Sequence, residues 1–305
     1  MGHQSGLVRG TGRALECYGF AVPALPSRAG LRLISTGTLL CALLSAVPAR
    51  SDVSRHKIGA KRAPDGSGVP RHAWCAPKLE TLPGDVCHYT PPDTVPRVLV
   101  IFLHGVIKWN STWQWTQQRA AVRFAKAHHF SALMPPGRRG IGHSPEAGVV
   151  TWPVGQSGRT PAAANMTAGA SQASVEQQMI GEWMAAKALL ERRNGRRFEK
   201  TYVFGYSAGA YFAASLALRG RLNVDGYAVF AGGAAPKDLQ KSLPARRPPI
   251  FVAYGRKDPA WRDPDGLAWA LRKVGWRHRL DARMQMGHDM NDSQVKNAVK
   301  FLDAR

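Results

Sequence analysis

One serine in this chain of 305 residues stands in a setting that could make it a nucleophile. It is the middle residue of Gly205-Tyr206-Ser207-Ala208-Gly209, where small residues two positions to either side permit a sharp turn between a strand and a helix. Such a turn presents the serine hydroxyl to a base, and it aims the Ala208 N–H, at the start of a helix, toward a developing oxyanion. The alternative is a glycine-rich turn that only packs closely. The pattern indicates acyl transfer.

A serine hydroxyl is a poor nucleophile at neutral pH and needs a base within hydrogen-bond reach. His288 lies just after the last predicted strand and before the last predicted helix. Asp258 follows the preceding predicted strand, and an acid is needed to fix the tautomer of the base. Because the carboxyl ends of parallel strands meet at one edge of a sheet, these side chains are expected to converge. Their order along the chain predicts a triad of Ser207, His288 and Asp258.

Other aspartates and histidines remain open as alternatives. Asp263, Asp265 and Asp289 are rival acids, since each lies close to the predicted acid or base in sequence. His278 is the other histidine after the acid strand, but it falls inside a predicted strand. His104 is interpreted as a packing residue beside a turn rather than as a base.

The elements that must position these side chains alternate between strands and helices. Strands are predicted at 97–103, 131–134, 200–204, 226–230, 249–254 and 278–286, and helices at 112–128, 171–193, 210–218, 266–274 and 292–303. The uninterrupted apolar run that ends at Leu103 is typical of a strand covered on both faces. The alternation predicts the α/β class, with a mostly parallel central sheet and helices on both faces.

The composition predicts a folded and strongly basic protein. Hydrophobic residues make up 44% of the chain and charged residues 20%, which allows a sizeable core and argues against disorder. The net charge is +22, but the basic residues are scattered in short pairs. This scatter favours solvated faces over a specific nucleic-acid partner. Binding of nucleic acid, acidic glycans or anionic lipid remains the alternative.

The N-terminal region has the pattern of a secretory signal peptide. Arg32 precedes an apolar stretch that is short for a membrane span, and Val47-Pro48-Ala49 places small residues around a cleavage site after Ala49. We therefore expect a secreted or periplasmic protein, with membrane contact only through an uncleaved leader. A translation start near Leu31 would account for the long stretch before the leader. The predicted organisation is an extension and signal peptide over 1–49, a flexible lead-in over 50–70 and one domain over 71–305.

Removal of the leader would leave two cysteines, Cys75 and Cys87. An even pair in an exported protein is a candidate disulfide, and neither residue has the neighbours that a metal site needs. No metal and no organic cofactor is expected.

The segment 135–170 is rich in Gly, Pro, Ser and Thr. It is predicted to be a structureless lid or binding loop. Trp152 within it either lines an acyl or aryl pocket or packs beneath the loop.

These landmarks resemble the α/β-hydrolase superfamily over about residues 95–305. The turn Leu103-His104-Gly105 and the pentapeptide around Ser207 are similar to those of secreted esterases related to polyhydroxybutyrate depolymerases and feruloyl esterases, and to those of the phospholipase/carboxylesterase group. The resemblance implies a second oxyanion donor at the Val106 N–H. It also implies a serine hydrolase that cleaves small or polymeric carboxylic esters through an acyl-enzyme. The segment 135–170 matches no substrate-defining motif of these groups.

Two other functions fit the same residues. A peptidase or a thioesterase could use the same triad, because the serine turn does not encode the leaving group. A non-catalytic basic protein on a hydrolase scaffold would instead bind polyanions in a salt-sensitive way.

Overall fold

A computed structural model describes residues 72–92, 95–142, 148–153 and 166–304 of the chain. The predicted extension, signal peptide and lead-in over 1–70 lie outside these residues. Within the described ranges, none of the helices combines the length and the hydropathy that crossing a membrane requires.

The described residues form eleven β-strands and five α-helices. The strands are β1 (Glu80–Leu82), β2 (Val86–Tyr89), β3 (Val98–Leu103), β4 (Ile107–Lys108), β5 (Ser131–Met134), β6 (Arg138–Arg139), β7 (Val149–Thr151), β8 (Lys200–Tyr206), β9 (Gly226–Phe230), β10 (Ile250–Gly255) and β11 (His278–Arg283). The helices are α1 (Trp113–His128), α2 (Met166–Arg193), α3 (Ala208–Leu218), α4 (Arg262–Lys273) and α5 (Asp292–Asp303).

Eight of these strands form one sheet in the order β1-β2-β5-β3-β8-β9-β10-β11. The hairpin of β1 and β2 is antiparallel and joins β5 antiparallel, whereas every pairing from β5 to β11 is parallel. The predicted fold class, a mostly parallel sheet within an α/β architecture, is confirmed.

Side chains of β3 alternate between the two faces of the sheet, as the pleat of a strand requires. Leu99, Ile101 and Leu103 join the core beneath α2, α3 and α4. Val100 and Phe102 join the core beneath α1 and α5 on the opposite face. Both faces are therefore covered, which explains why this strand is apolar along its whole length.

The predicted structureless segment 135–170 is wrong in part. It contains β6, β7 and the beginning of α2, and β6 and β7 form a small antiparallel sheet with β4. Strands of two or three residues carry too few side chains for a period of two to be visible in the sequence. Residues 143–147 and 154–165 of the segment lie outside the described residues.

Helix α1 buries polar side chains beside its apolar ones. Trp113 is 50% exposed, whereas Gln114, Gln117 and Gln118 are buried together with Ala121. A helix that buries three amides must supply each of them with hydrogen-bond partners, and the partners of these amides are part of the site described below.

Boundary differences elsewhere are small. Helix α4 begins at Arg262 and not at residue 266. Its first turn contains Pro264, which is tolerated there because the missing N–H breaks no helical hydrogen bond. Strand β11 ends at Arg283, three residues before its predicted end. The β1–β2 hairpin has only a weak signal in the sequence.

Cys75 precedes β1 in the sequence and Cys87 lies in β2, and their Cα atoms are 5.3 Å apart. This separation is within the span of a disulfide. The bond itself stays a prediction.

Candidate active site

Three loops at the carboxyl edge of the sheet bring the predicted triad together. Ser207 connects β8 to α3, Asp258 follows β10, and His288 lies between β11 and α5. His288 Nε2 is 2.8 Å from Ser207 Oγ, and His288 Nδ1 is 2.7 Å from Asp258 Oδ2. The two contacts form one continuous relay from hydroxyl through imidazole to carboxylate, as a nucleophile with a general base requires.

The backbone of Ser207 adopts a conformation that is rare for a residue with a side chain. Its φ is 53° and its ψ is −120°. Surrounding hydrogen bonds hold this strained conformation: the Ser207 N–H donates to the Phe230 carbonyl at 2.9 Å, and the Ser207 carbonyl accepts from Ala210 N–H at 2.9 Å. The strain is therefore fixed by the neighbouring strand and by the first turn of α3.

The two glycines of the serine turn are required by close backbone contacts. A Cβ on Gly205 would lie 2.3 Å from the Gly209 carbonyl oxygen, and a Cβ on Gly209 would lie 2.2 Å from the Leu103 carbonyl oxygen. Neither position can hold a larger residue without separating α3 from the sheet. This contact is the reason for the small residues on either side of Ser207.

Asp258 is almost completely buried, with 2% of its surface exposed. Its Oδ1 accepts the Ala260 N–H at 2.9 Å, which leaves Oδ2 to accept from the imidazole. The loop of Asp258 is held against the loop of His288, because Lys257 N–H donates to the Met286 carbonyl at 2.9 Å. A Cβ on Gly255 would lie 2.0 Å from the same Met286 carbonyl oxygen, so this crossing also depends on a glycine.

The rival acids and the other histidine have different partners. Asp263 accepts the Tyr211 hydroxyl at 2.7 Å, Asp265 accepts the Tyr254 hydroxyl, and Asp289 accepts the Met290 N–H at 2.7 Å. His278 contacts the Trp276 carbonyl through Nδ1 at 2.8 Å. The geometry of the base therefore involves Asp258 and not these residues.

Tyr206 supports the loop of His288 from the neighbouring strand. The two rings have centroids 5.6 Å apart, and the Tyr206 hydroxyl donates to the His288 carbonyl at 3.1 Å. Burial raises the pKa of the Tyr206 phenol, and the charges of Asp289 and Asp258 raise it further. The phenol thus remains a neutral donor and keeps the histidine loop in place.

The Val106 N–H belongs to the peptide that follows Gly105, and His104 fixes the orientation of that peptide. His104 Nδ1 donates to the Gly105 carbonyl oxygen at 2.5 Å. In a planar trans peptide the carbonyl and the N–H point in opposite directions. The bond from His104 therefore turns the Val106 N–H away from the imidazole. The turn itself lies against the nucleophile, since a Cβ on Gly105 would be 3.2 Å from Ser207 Cβ.

One tautomer of His104 is set by its partners. Its Nε2 accepts the Gly137 N–H at 2.9 Å, so the proton must be on Nδ1. Burial lowers the pKa of His104 to about 4, against which the bond to Gly105 acts weakly. The ring is therefore neutral at neutral pH. The Gly137 N–H that donates to it is 33 residues away in the sequence.

Trp152 packs beneath this turn. Its indole is 2% exposed, it stacks on Phe212 with centroids 5.8 Å apart, and its Nε1 donates to the His104 carbonyl at 2.7 Å. Of the two interpretations from the sequence, the packing role is confirmed, and a role in lining an acyl or aryl pocket is wrong.

Sequence reasoning missed Gln117. Its Oε1 accepts the Gly105 N–H at 2.8 Å from inside α1. With His104 and Trp152, it completes a set of three side chains that hold the backbone of the turn. A glutamine on an amphipathic helix is typical of a solvated face, so the sequence gives no signal that would single it out.

A cavity of about 430 Å³ lies beside β4, and Ser207, Asp258 and His288 are not among the residues that line it. Its walls combine apolar and charged side chains from β4, the residue after β4, β6 and α2, namely Ile107, Lys108, Trp109, Arg138, Arg139 and Glu182. Arg139 lies over the Trp109 ring at 4.3 Å, and Arg138 is paired with Glu182. The volume is in the range of sites for small molecules.

No cluster of three or more His, Cys, Asp or Glu side chains that could hold a metal ion occurs among the residues with described side chains.

Comparison with known proteins gives one family match. Residues 117–300 match the model of the Dienelactone hydrolase family. No curated protein sequence matches the chain.

Solved structures show the same fold. Esterase PE8 is similar with a TM-score of 0.50 and 20% sequence identity, over 74% of this chain and 98% of that one. A carboxylesterase from Mesorhizobium loti is similar with a TM-score of 0.50 and 17% identity, over 74% and 99% of the two chains.

Proposed function

The chain belongs to the dienelactone hydrolase family and is a hydrolase of the type that acts on esters, and from this premise we propose that it cleaves carboxylic esters through an acyl-enzyme on Ser207. The observation that carries the proposal is the relay of Ser207, His288 and Asp258, with contacts of 2.8 and 2.7 Å. These distances are those of a base that can take the hydroxyl proton as the nucleophile attacks.

In the first half of the reaction, Ser207 Oγ attacks the ester carbonyl while His288 Nε2 accepts its proton. The carbonyl oxygen becomes an oxyanion, held by the N–H groups of Val106 and Ala208. Collapse of this intermediate breaks the bond to the leaving alcohol, which receives the proton from His288. Asp258 stabilises the imidazolium that exists between these two proton transfers.

In the second half, water takes the place of the alcohol. His288 accepts a proton from the water, the resulting hydroxide attacks the acyl carbon, and the proton then returns to Ser207 Oγ as the acid leaves. A small-molecule ester is the substrate class that we propose, and the match to the Dienelactone hydrolase family supports it.

The test is the loss of Ser207. We expect Ser207→Ala to lower kcat on p-nitrophenyl acetate by about 10⁶-fold and to abolish labelling by a fluorophosphonate, because both need the same nucleophile. Thioester and peptide substrates assayed in parallel identify the leaving group that the site prefers. A Ser207→Ala protein that keeps its turnover would contradict the proposal.

A matched pair of aspartates tests the acid. Asp258→Asn should lower kcat by about 10³-fold to 10⁴-fold, because an amide favours the wrong tautomer of His288. Asp265→Asn, seven residues away on α4, should leave kcat within about threefold, since Asp265 bonds Tyr254 rather than the base. Equal losses in the two variants would argue against Asp258 as the orienting acid.

We also propose export from the cytoplasm, with cleavage after Ala49. What supports it is the sequence pattern of the leader and the presence of just two cysteines after residue 49. N-terminal sequencing of the exported protein should begin at Arg50, and a protein retained in the cytoplasm with its leader intact would overturn this part.

A further inference from the structure

Three residues that line one small cavity beside the oxyanion turn (residues 103–106) each carry a buried polar atom that has no partner among the described residues. The atoms are Trp74 Nε1, Gln114 Oε1 and Gln117 Nε2. Phe102, Met134 and Pro135 also line this cavity, which has a volume of about 10 Å³. A buried donor or acceptor without a partner is costly, so native proteins rarely leave three of them on residues around one cavity.

The cavity has the size for one water molecule, and three of its lining residues carry a buried polar atom that lacks a partner among the described residues. A single water needs about 10 to 15 Å³ and two to four polar partners, and buried waters typically make about three hydrogen bonds. Water can accept from the indole N–H of Trp74 and from the amide N–H of Gln117, and it can donate to Gln114 Oε1. The donors and the acceptor thus match one water with no group left over.

The position of this water relates it to the reaction. Gln117 uses its other amide atom, Oε1, to accept the Gly105 N–H at 2.8 Å. Gly105 directly precedes Val106, the proposed oxyanion donor, and lies against Ser207. Whatever fixes the amide of Gln117 therefore fixes the backbone from which the Val106 N–H extends.

The other two partners of the water are themselves anchored. Trp74 lies beside the ring of His104, with centroids 5.2 Å apart, and its carbonyl accepts from Gln118 Nε2 at 3.0 Å. Gln114 is 4% exposed and lies one turn of α1 before Gln117. Water bound here would link α1 to the segment before β1 across the back of the turn.

We propose that this cavity binds one structural water, held by Trp74, Gln114 and Gln117, and that Gln117 is a positioning residue for the oxyanion turn. The role of Gln117 rests on the proposed ester hydrolysis, whereas the water site does not. The water prevents rotation of the Gln117 amide, which would otherwise exchange the acceptor toward Gly105 for a donor.

The chain provides a matched control for Gln117 in the next residue. Gln118 is equally buried on the same helix, but its amide bonds the backbone of Trp74 and Ala76. Gln117→Met should lower kcat on p-nitrophenyl acetate by about 10-fold to 100-fold with KM changed by less than about twofold, because the loss falls on the transition state. Gln118→Met should lower the urea midpoint of unfolding and should lower kcat by no more than about threefold, because it acts on the water only through Trp74.

A second variant separates positioning from packing. Gln117→Glu keeps an oxygen for the Gly105 N–H, so its kcat should recover to within about tenfold of the wild type. Gln114→Met removes the acceptor of the water alone and should lower kcat by about threefold to tenfold. Equal kcat losses in Gln117→Met and Gln118→Met, or no recovery in Gln117→Glu, would overturn the positioning role.

The water is tested directly by a crystal structure of the full protein at better than about 2 Å resolution. Density for one water within about 3.2 Å of all three atoms is the expected result, and an empty or apolar-filled cavity overturns the site. This measurement does not depend on catalysis. A wild-type protein that no fluorophosphonate labels would refute the proposed function, while the crystal would still decide the water.

Discussion

His104 has no part in the proposed proton transfer, yet its hydrogen bonds fix the backbone beside the proposed oxyanion donor. Its ring accepts from Gly137 and donates to Gly105, so its two nitrogens have fixed and different roles. A second proton on the ring would place an N–H against the Gly137 N–H. The neutral form is therefore built into the folded state, and the sequence alone indicated only a packing residue.

This arrangement predicts a pH dependence of stability. The pKa of His104 is about 4 in the folded protein and about 6.5 when unfolded, so between these values the unfolded chain binds more protons. The contribution of His104 to the free energy of unfolding is fully present above pH 6.5, and it is lost as the pH falls toward 4. The loss is about 1.4 kcal/mol per pH unit and about 3 kcal/mol in total.

Urea unfolding of the wild type and of His104→Gln across pH 4 to 7 tests this. Glutamine can keep one donor and one acceptor but does not titrate, so the variant should have a shallower dependence in that window. Parallel curves for the two proteins would show that His104 is not protonated on unfolding.

Among the residues of the site, the sequence could predict those whose types and loop positions carry the chemistry. Ser207, Asp258 and His288 each follow a predicted strand, and parallel strands bring such loops together. The hydrogen bonds of Gln117 and Trp152 to the backbone could not be predicted, because they depend on which backbone atom lies opposite each side chain. That information arises only when distant segments pack.

At the scale of elements, the contact of α3 with β3 depends on glycine. The helix approaches so closely that the space for a Cβ on Gly209 is occupied by the Leu103 carbonyl. Periodic apolar runs such as β3 and β8 were predictable, because each is long enough to show a pattern. The two-residue strands β4 and β6 were not, since their pairing is decided by the loops around them.

Two glycines in helices should respond oppositely to the same change. Gly209→Ala should destabilise the protein by about 3 kcal/mol or more, or prevent folding, because backbone atoms must move. Gly266→Ala, in α4, meets no atom within 4 Å and should stabilise by about 0.5–1 kcal/mol. Urea midpoints and soluble yields measure both. A Gly209→Ala protein with an unchanged midpoint would show that the helix is free to shift.

At the scale of the whole molecule, the candidate disulfide joins the segment before β1 to β2. The bond between Cys75 and Cys87 would close a loop with a sequence separation of 12. In the chain-entropy model such a loop stabilises by about 3 kcal/mol. The same segment carries Trp74, so the disulfide would also hold one side of the oxyanion turn.

The double variant Cys75→Ala/Cys87→Ala should therefore unfold at lower urea, by about 3 kcal/mol, when compared with the oxidised protein. In 6 M urea, the protein that begins at residue 50 should give no reaction with a thiol reagent until it is reduced. Two reactive thiols per chain before reduction would show that the cysteines are unpaired.

The family match begins at residue 117, yet the turn that carries the Val106 N–H lies before that point. The proposed nucleophile, acid and base thus lie in the matched portion, while one of the two proposed oxyanion donors lies before it. A chimera in which residues 117–300 are replaced by those of a relative would carry the relative's triad. It would keep the turn with the Val106 N–H and the β1–β2 hairpin of this protein. The rate of ester hydrolysis by the chimera, compared with the rates of the two natural proteins, would then measure how strongly catalysis depends on both portions having evolved together.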